Sequence, residues 1–256
     1  MCNFDDTDLA IELGNSIEKK NLISFSLNGY EVIEITGESS VSYTVCCKAP
    51  WKYKKGEQEK LKLVTGTLIS KILPPVSSFL IVGLGNRLIS SDALGPLTID
   101  RLTPSRHIRG VNDRLFYELG GYELACISPG VEGQSGIESF DIVSNALQLT
   151  SSRAVILIDA LRAREPMRVM STVQLSSNGI MPGGGVGNHK RELSFNTLGV
   201  PVCTVGVPTV ALPSSLSRER CYNEDYFIVH REQDIALSFY SRLISDGISY
   251  ALGQKE

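Results

Sequence analysis

Apolar and polar positions along the chain change period twice before the main run of strands begins. Leu9, Ile11, Leu13 and Ile17 recur at helical spacing through residues 1 to about 20, with Thr7 or Asp8 in place as caps, and predict an amphipathic N-terminal helix. From about Leu22 the period becomes two. Ile23-Ser24-Phe25-Ser26-Leu27 and Glu31-Val32-Ile33-Glu34-Ile35 alternate on either side of Asn28-Gly29, a pair suited to the positive-φ positions of a tight hairpin. Val41 to Cys47 and Leu61 to Leu68 extend this zone as short runs, with the mixed-charge stretch Lys52 to Lys60 between them as a solvated loop.

After Pro74-Pro75 the character changes again. Phe79 to Leu84 is a continuous apolar strand of the kind buried on both faces. Ala93 to Leu102 reads as a helix, Leu124 to Ile127 as a strand, Gly136 to Leu149 as a helix and Ala154 to Asp159 as a strand rich in β-branched residues. Arg168 to Leu175 and Pro201 to Val207 read as further strands, and Gln233 to Leu252 as a closing amphipathic helix. Strands alternating with helices imply βαβ units and an α/β fold: a mostly parallel sheet with helices on both faces. The division expected is an N-terminal helix and β-rich subdomain over residues 1–75 and an α/β catalytic core over residues 76–256.

Composition narrows the function classes. At 42% hydrophobic and 21% charged, 256 residues can bury one substantial core. The net charge is -3 and Lys and Arg form no dense block, so direct nucleic-acid binding is not expected. The apolar runs are strand-length, which argues against a membrane span, and Met1-Cys2-Asn3-Phe4-Asp5-Asp6 has no basic or apolar leader character, so a cytoplasmic location is expected. None of the six cysteines (Cys2, Cys46, Cys47, Cys126, Cys203 and Cys221) forms a C-x-x-C pair. Cys126 and Cys203 lie in apolar runs, as buried small hydrophobes do, and the set is expected to be reduced and not catalytic.

Ligand crevices of open α/β sheets lie beyond the carboxyl ends of the strands. Three glycine-rich loops follow strands here: Gly83 to Asp92 with Gly85 and Asn86; Ser128 to Gly136 with Gly130 and Glu132; and Gly183 to His189 with Asn188. Asp159 ends the third core strand, so it and Asp92 are expected to meet at one rim. Two acids held close cannot both ionise cheaply; one keeps its proton while the other serves as a base, the division of labour that peptide hydrolysis needs. Glycines nearby let backbone N–H groups approach a substrate oxyanion. On local sequence alone Asp92 reads first as an N-cap before Ala93 and Asp159 as a strand-end turn residue. His189 is either a solvated loop histidine or a supporting catalytic or metal-binding one. Other chemistries lack their anchors: Leu88 stands where a dinucleotide loop needs its third glycine, and G-x-S-x-G, H-E-x-x-H and the G-K-[ST] of a phosphate loop are absent.

A family resemblance rests on longer motifs. Leu80-Ile81-Val82-Gly83-Leu84-Gly85-Asn86 followed by Asp92-Ala93-Leu94-Gly95-Pro96 resembles the signature of the germination proteases of spore-forming bacteria. In the same order come Arg106-His107, Pro129-Gly130-Val131, Gly136-Ile137-Glu138, Ile158-Asp159-Ala160-Leu161, Ala163-Arg164, Gly185-Val186-Gly187-Asn188, Pro201-Val202 and Val205 to Val210. Thr7-Asp8-Leu9-Ala10 and the closing helix match too, so the resemblance runs through nearly the whole chain.

The resemblance implies an endopeptidase that degrades small acid-soluble, DNA-coating spore proteins at the start of germination. It implies also a zymogen, a homotetramer, a location in the spore core and a fold shared with hydrogenase-maturation peptidases. The family's two catalytic aspartates fall on Asp92 and Asp159; Gly85, Asn86, Gly130, Glu132, Asn188 and His189 lie in the supporting loops. No cofactor is expected. Departures are Ser90-Ser91 where the family has Thr-Pro, Glu132 in place of an apolar residue, a short segment before Thr7, and shortening of the hairpin zone and after Val210. Two other readings stand beside the aspartate endopeptidase. One is a metal-assisted processing peptidase with a divalent ion on Asp92, Asp159 and His189. The other is a catalytically silent paralogue that binds spore proteins.

Overall fold

The computed structural model describes Leu9 and residues 22–182, 191–212 and 226–253. The expected N-terminal helix, the Gly183–His189 loop with Asn188 and His189, and Cys2 and Cys221 lie outside the described residues, Leu9 apart.

Among the described residues nine strands form one sheet. They are β1 (Leu22–Leu27), β2 (Tyr30–Thr36), β3 (Val41–Cys46), β4 (Ser78–Gly83), β5 (Glu123–Ile127), β6 (Ala154–Ala163), β7 (Thr172–Ser176), β8 (Val202–Ala211) and β9 (Ile228–Val229). Their order is β1-β2-β3-β7-β8-β6-β4-β5, with β9 paired to β8. The centre, β8-β6-β4-β5, is parallel. Antiparallel pairing of β3 with β7 and of β7 with β8 carries the N-terminal strands onto its edge. The β1–β2 hairpin turns at Asn28 (φ 51°) and Gly29 (φ 88°), the two positive-φ positions that its dipeptide predicts.

The seven helices of the described residues are α1 (Lys55–Ile72), α2 (Leu94–Ile99), α3 (Asp113–Glu118), α4 (Glu132–Ser135), α5 (Ser139–Thr150), α6 (Phe195–Leu198) and α7 (Gln233–Ala251). Period two sorts the core strands between two layers. Phe79 and Ile81 of β4, with Ile156 and Ile158 of β6, join α1, α2 and α7 in one apolar cluster. Leu80 and Val82, with Val155 and Leu157, face Val143 and Leu147 of α5 in the other. Helices therefore cover both faces, as expected. No helix of the described residues is long and apolar enough to cross a membrane.

Two expectations are corrected. The solvated loop at 52–60 and the run at 61–68 are largely one helix, α1. Its buried residues are Gly66 and the set Leu61, Val64, Thr65, Leu68 and Ile69, the latter spaced i, i+3, i+4, i+7, i+8, so the apolar stripe has the period of a helix while the charged residues lead in from solvent. Asp159, moreover, does not end its strand: β6 runs on to Ala163. It is β4 that stops, at Gly83 opposite Ile158, and β6 continues with β8 as its strand partner.

Candidate functional site

Close backbone approach builds the first site loop. Gly83 closes β4 and Gly95 opens α2; a Cβ on Gly83 would stand 2.4 Å from Gly95 O, and one on Gly95 2.3 Å from Leu84 O. Only a glycine pair lets the helix start rest directly on the strand end. Between them the chain loops out and returns through a single 3-10 turn, Ser90–Asp92. At Gly85 (φ +103°) a Cβ would lie 2.1 Å from Asp92 O and 2.8 Å from Asp92 Oδ1. Asn86 N–H donates to Asp92 Oδ2 at 2.7 Å, so the carboxylate is held over the residue that follows Gly85.

Asp159 reaches the same rim from β6. Leu84 N–H donates to Ile158 O at 2.8 Å, the last bond across from the β4 chain, and Asp159 is the next residue. Its side chain is only 7% exposed, and Oδ1 accepts from Ala160 N–H at 2.9 Å. A buried carboxyl needs such hydrogen bonds to offset lost hydration. Across the sheet Asp159 pairs with Gly206 of β8. Two or three residues further on the β6–β8 register slips: Leu161 pairs with Pro208 but Arg162 with Val210. The extra residue, Thr209, is 1% exposed and its hydroxyl donates to Ser91 O at 2.6 Å. A bulge thus ties β8 to the turn that carries Asp92.

Further bonds brace the loop. Ser90 Oγ donates to Asp234 Oδ1 at the start of α7, 2.6 Å, and Arg87 pairs with Asp100 after α2. Asn86 Oδ1 accepts from Leu88 N–H (2.9 Å) and from Gln134 Nε2 of α4 (2.8 Å), which joins the first loop to the second. Within the second loop Gly130 takes φ +72°, its carbonyl accepts from Ser139 Oγ at 3.3 Å, and Ser128 Oγ reaches Gly83 O at 3.1 Å. Glu132, at the first turn of α4, is exposed. Arg191 is clamped to Glu138 through its backbone N–H, Nε and Nη2 (2.7, 2.9 and 2.8 Å) and to Asp141 at 2.6 Å, with its guanidinium over the Phe140 ring; these carboxylates hold its pKa above the ordinary value.

The structure therefore brings Asp92, Asp159, Gly85, Asn86 and the Gly130 loop to one end of the parallel strands. Among the described residues no group of three or more His, Cys, Asp and Glu is arranged to hold a metal ion. Gln134 and Thr209 were not anticipated as site residues. Pro208 inside an apolar strand was the available signal for the second, since a residue without N–H belongs at a bulge. A glutamine on an exposed turn carries no comparable signal. Burial pushes the thiols of Cys47, Cys126 and Cys203 up to about 12, which keeps them protonated and suits packing residues rather than nucleophiles.

The model of the germination protease family matches residues 58–249, which includes both aspartates. A germination protease of a Geobacillus strain is 44% identical over 154 residues, 60% of this chain and 40% of its own length. That of Bacillus licheniformis is 33% identical over 272 aligned positions, 95% of this chain and 73% of its own length. The matched part thus spans less than half of the first relative. Among solved structures, a nickel-iron hydrogenase maturation protease of Thermococcus kodakarensis aligns with 71% of this chain and 98% of its own at 13% identity, with a TM-score of 0.42.

Proposed function

Since the chain belongs to the germination protease family, a peptidase family, we propose that it is an endopeptidase that hydrolyses small acid-soluble spore proteins as germination begins, using Asp92 and Asp159. One observation carries the assignment. Asp92 is held by Asn86 N–H on the strand-end loop of β4, and the buried Asp159 lies within β6 one residue beyond the last β4 hydrogen bond. In this reading one carboxyl is the base that draws a proton from water, and the other, protonated, polarises the scissile carbonyl and then protonates the leaving amine. An extended substrate would approach along the rim where β4 has ended. A cytoplasmic, spore-core location, zymogen control and a homotetramer belong to the same proposal, on the family's account.

The test is cleavage of a purified small acid-soluble spore protein by wild type, Asp92→Asn and Asp159→Asn, each with and without chelator. Discrete fragments from wild type, absent from both variants and unaffected by chelator, are expected. Chelator-sensitive cleavage would transfer the role to a metal-assisted peptidase. Binding of the substrate without any cleavage would leave a silent paralogue.

A further inference from the structure

The orientation of the Asn86 side-chain amide in the first loop is fixed by its neighbours. Leu88 N–H can only donate, so the atom it meets at 2.9 Å must be the amide oxygen; an inverted amide would set two donors against each other. With Oδ1 so placed, the Gln134 amide must also turn its nitrogen inward, and it does, at 2.8 Å. Gly130 makes room for that glutamine: a Cβ there would stand 3.1 Å from Gln134 Oε1. Both lone-pair directions of Asn86 Oδ1 are then occupied. Its Nδ2 is turned away from Leu88 and Gln134, and among the described residues no acceptor takes its hydrogens. The backbone N–H of the same residue holds Asp92 Oδ2 at 2.7 Å.

We propose that Asn86 is a catalytic residue, its Nδ2–H₂ donating to the carbonyl oxygen of the scissile peptide bond as that oxygen becomes negative, and that Gln134 is the residue that positions it. The inference rests on the assignment of Asp92 as a catalytic carboxyl. Charge that develops on the oxygen while water adds to the carbonyl carbon is met by a donor already fixed in place, so no reorganisation is needed at the moment of reaction. Gln134 acts by denying the amide its inverted orientation, not by touching the substrate.

Steady-state cleavage of a small acid-soluble spore protein tests this with Asn86→Asp, Gln134→Glu and Asp92→Asn beside wild type. Asn86→Asp keeps the shape and the acceptor for Leu88 N–H and Gln134 but offers no donor. Its kcat is expected to fall about 10²- to 10³-fold with KM little changed, the loss typical of removing one oxyanion donor. The depression should hold at every pH above the ordinary carboxylate range, where the introduced carboxylate has no hydrogen to donate. Gln134→Glu, which cannot donate to Oδ1, should lower kcat in the same direction by a smaller factor. The donor role is overturned if Asn86→Asp keeps kcat within about twofold of wild type, where one lost donor would cost far more. It is overturned equally if activity returns on raising the pH, because the loss then came from the added charge. Wild-type cleavage by Asp92→Asn would remove the underlying site assignment itself, and this inference with it.

Discussion

At Gly85 the backbone sits at φ +103° with Asp92 O only 2.1 Å from where a Cβ would be. An L-residue in such a conformation is strained by about 1–3 kcal/mol before any clash is counted. Since the nearest atom is backbone, relief must come from moving the Asp92 turn. Gly85→Ala is therefore expected to destabilise by roughly that strain, to be read from a urea midpoint, and to lose cleavage out of proportion to its stability. Proportionate losses would mean that the loop shifts as a whole without disturbing the carboxyl. Thr209 offers the complementary probe. Thr209→Val keeps its volume but strips the 2.6 Å bond to Ser91 O, and a net loss of about 1 kcal/mol is expected, with part of the cleavage activity going with it.

Among the elements, the crossing of α1 and α7 shows packing prevailing over local preference. Gly66 lies in the middle of α1, where alanine is favoured over glycine by about 1 kcal/mol on helix propensity alone. Yet a Cβ on Gly66 would meet Tyr250 Cδ1 at 2.6 Å and Gly247 O at 2.7 Å, and one on Gly247 would meet Thr65 Cγ2 at 3.2 Å. The ring of Tyr250, 49% exposed, can swing aside; the Gly247 carbonyl is part of a helix and cannot. Gly66→Ala is thus predicted to destabilise by about 1–3 kcal/mol, the usual cost of overpacking, measured by chemical denaturation. A stabilised variant would show that the helices separate at no cost. The same helix is the element whose sequence reading needed correction. Leu61, Val64, Thr65 and Leu68 already stand at i, i+3, i+4 and i+7, so the helical period lay within the run itself, and its place after a hairpin zone obscured it.

Across the whole molecule, the burial of three thiols links folding to alkaline pH. Burial raises Cys47, Cys126 and Cys203 from an ordinary 9.0 to about 12. Between those values the folded chain binds more protons than the unfolded one, so stability is fully present below about pH 9 and declines as pH rises toward about 12. Urea midpoints compared just below pH 9 and near pH 11 should fall, and a thiol reagent at neutral pH should modify the buried Cys47 and Cys203 only as fast as the chain opens, with the half-buried Cys126 reacting sooner. Rapid labelling of Cys47 or Cys203 in the native protein would contradict their burial. Tyr240, fully buried at the end of the same core, donates to Met170 O at 2.9 Å and shifts upward as well, in the same alkaline direction.

Much of this could be read from one dimension. Period two in β1 and β2, Asn28-Gly29 between them, the apolar run of β4 and the β-branched run of β6 all express local rules of side-chain direction and turn geometry. Glycine-rich strand ends with an aspartate beside them marked the rim of the sheet, because backbone approach without a Cβ is a property of the residue itself. What lay beyond the sequence were relations between segments far apart in it. That β4 stops opposite Ile158 while β6 runs on beside β8, so that Asp159 lies within its strand and past the end of β4, depends on pairing rather than on residue type. The Thr209 bulge belongs to the pairing of β8 with β6 and to the bond that ties it to the Asp92 turn. Gln134 gains its role from a loop nearly fifty residues earlier in the chain. Local propensity is a sum over neighbours in sequence, whereas hydrogen-bond partners and register are chosen by the closed sheet, and only the folded chain makes that choice.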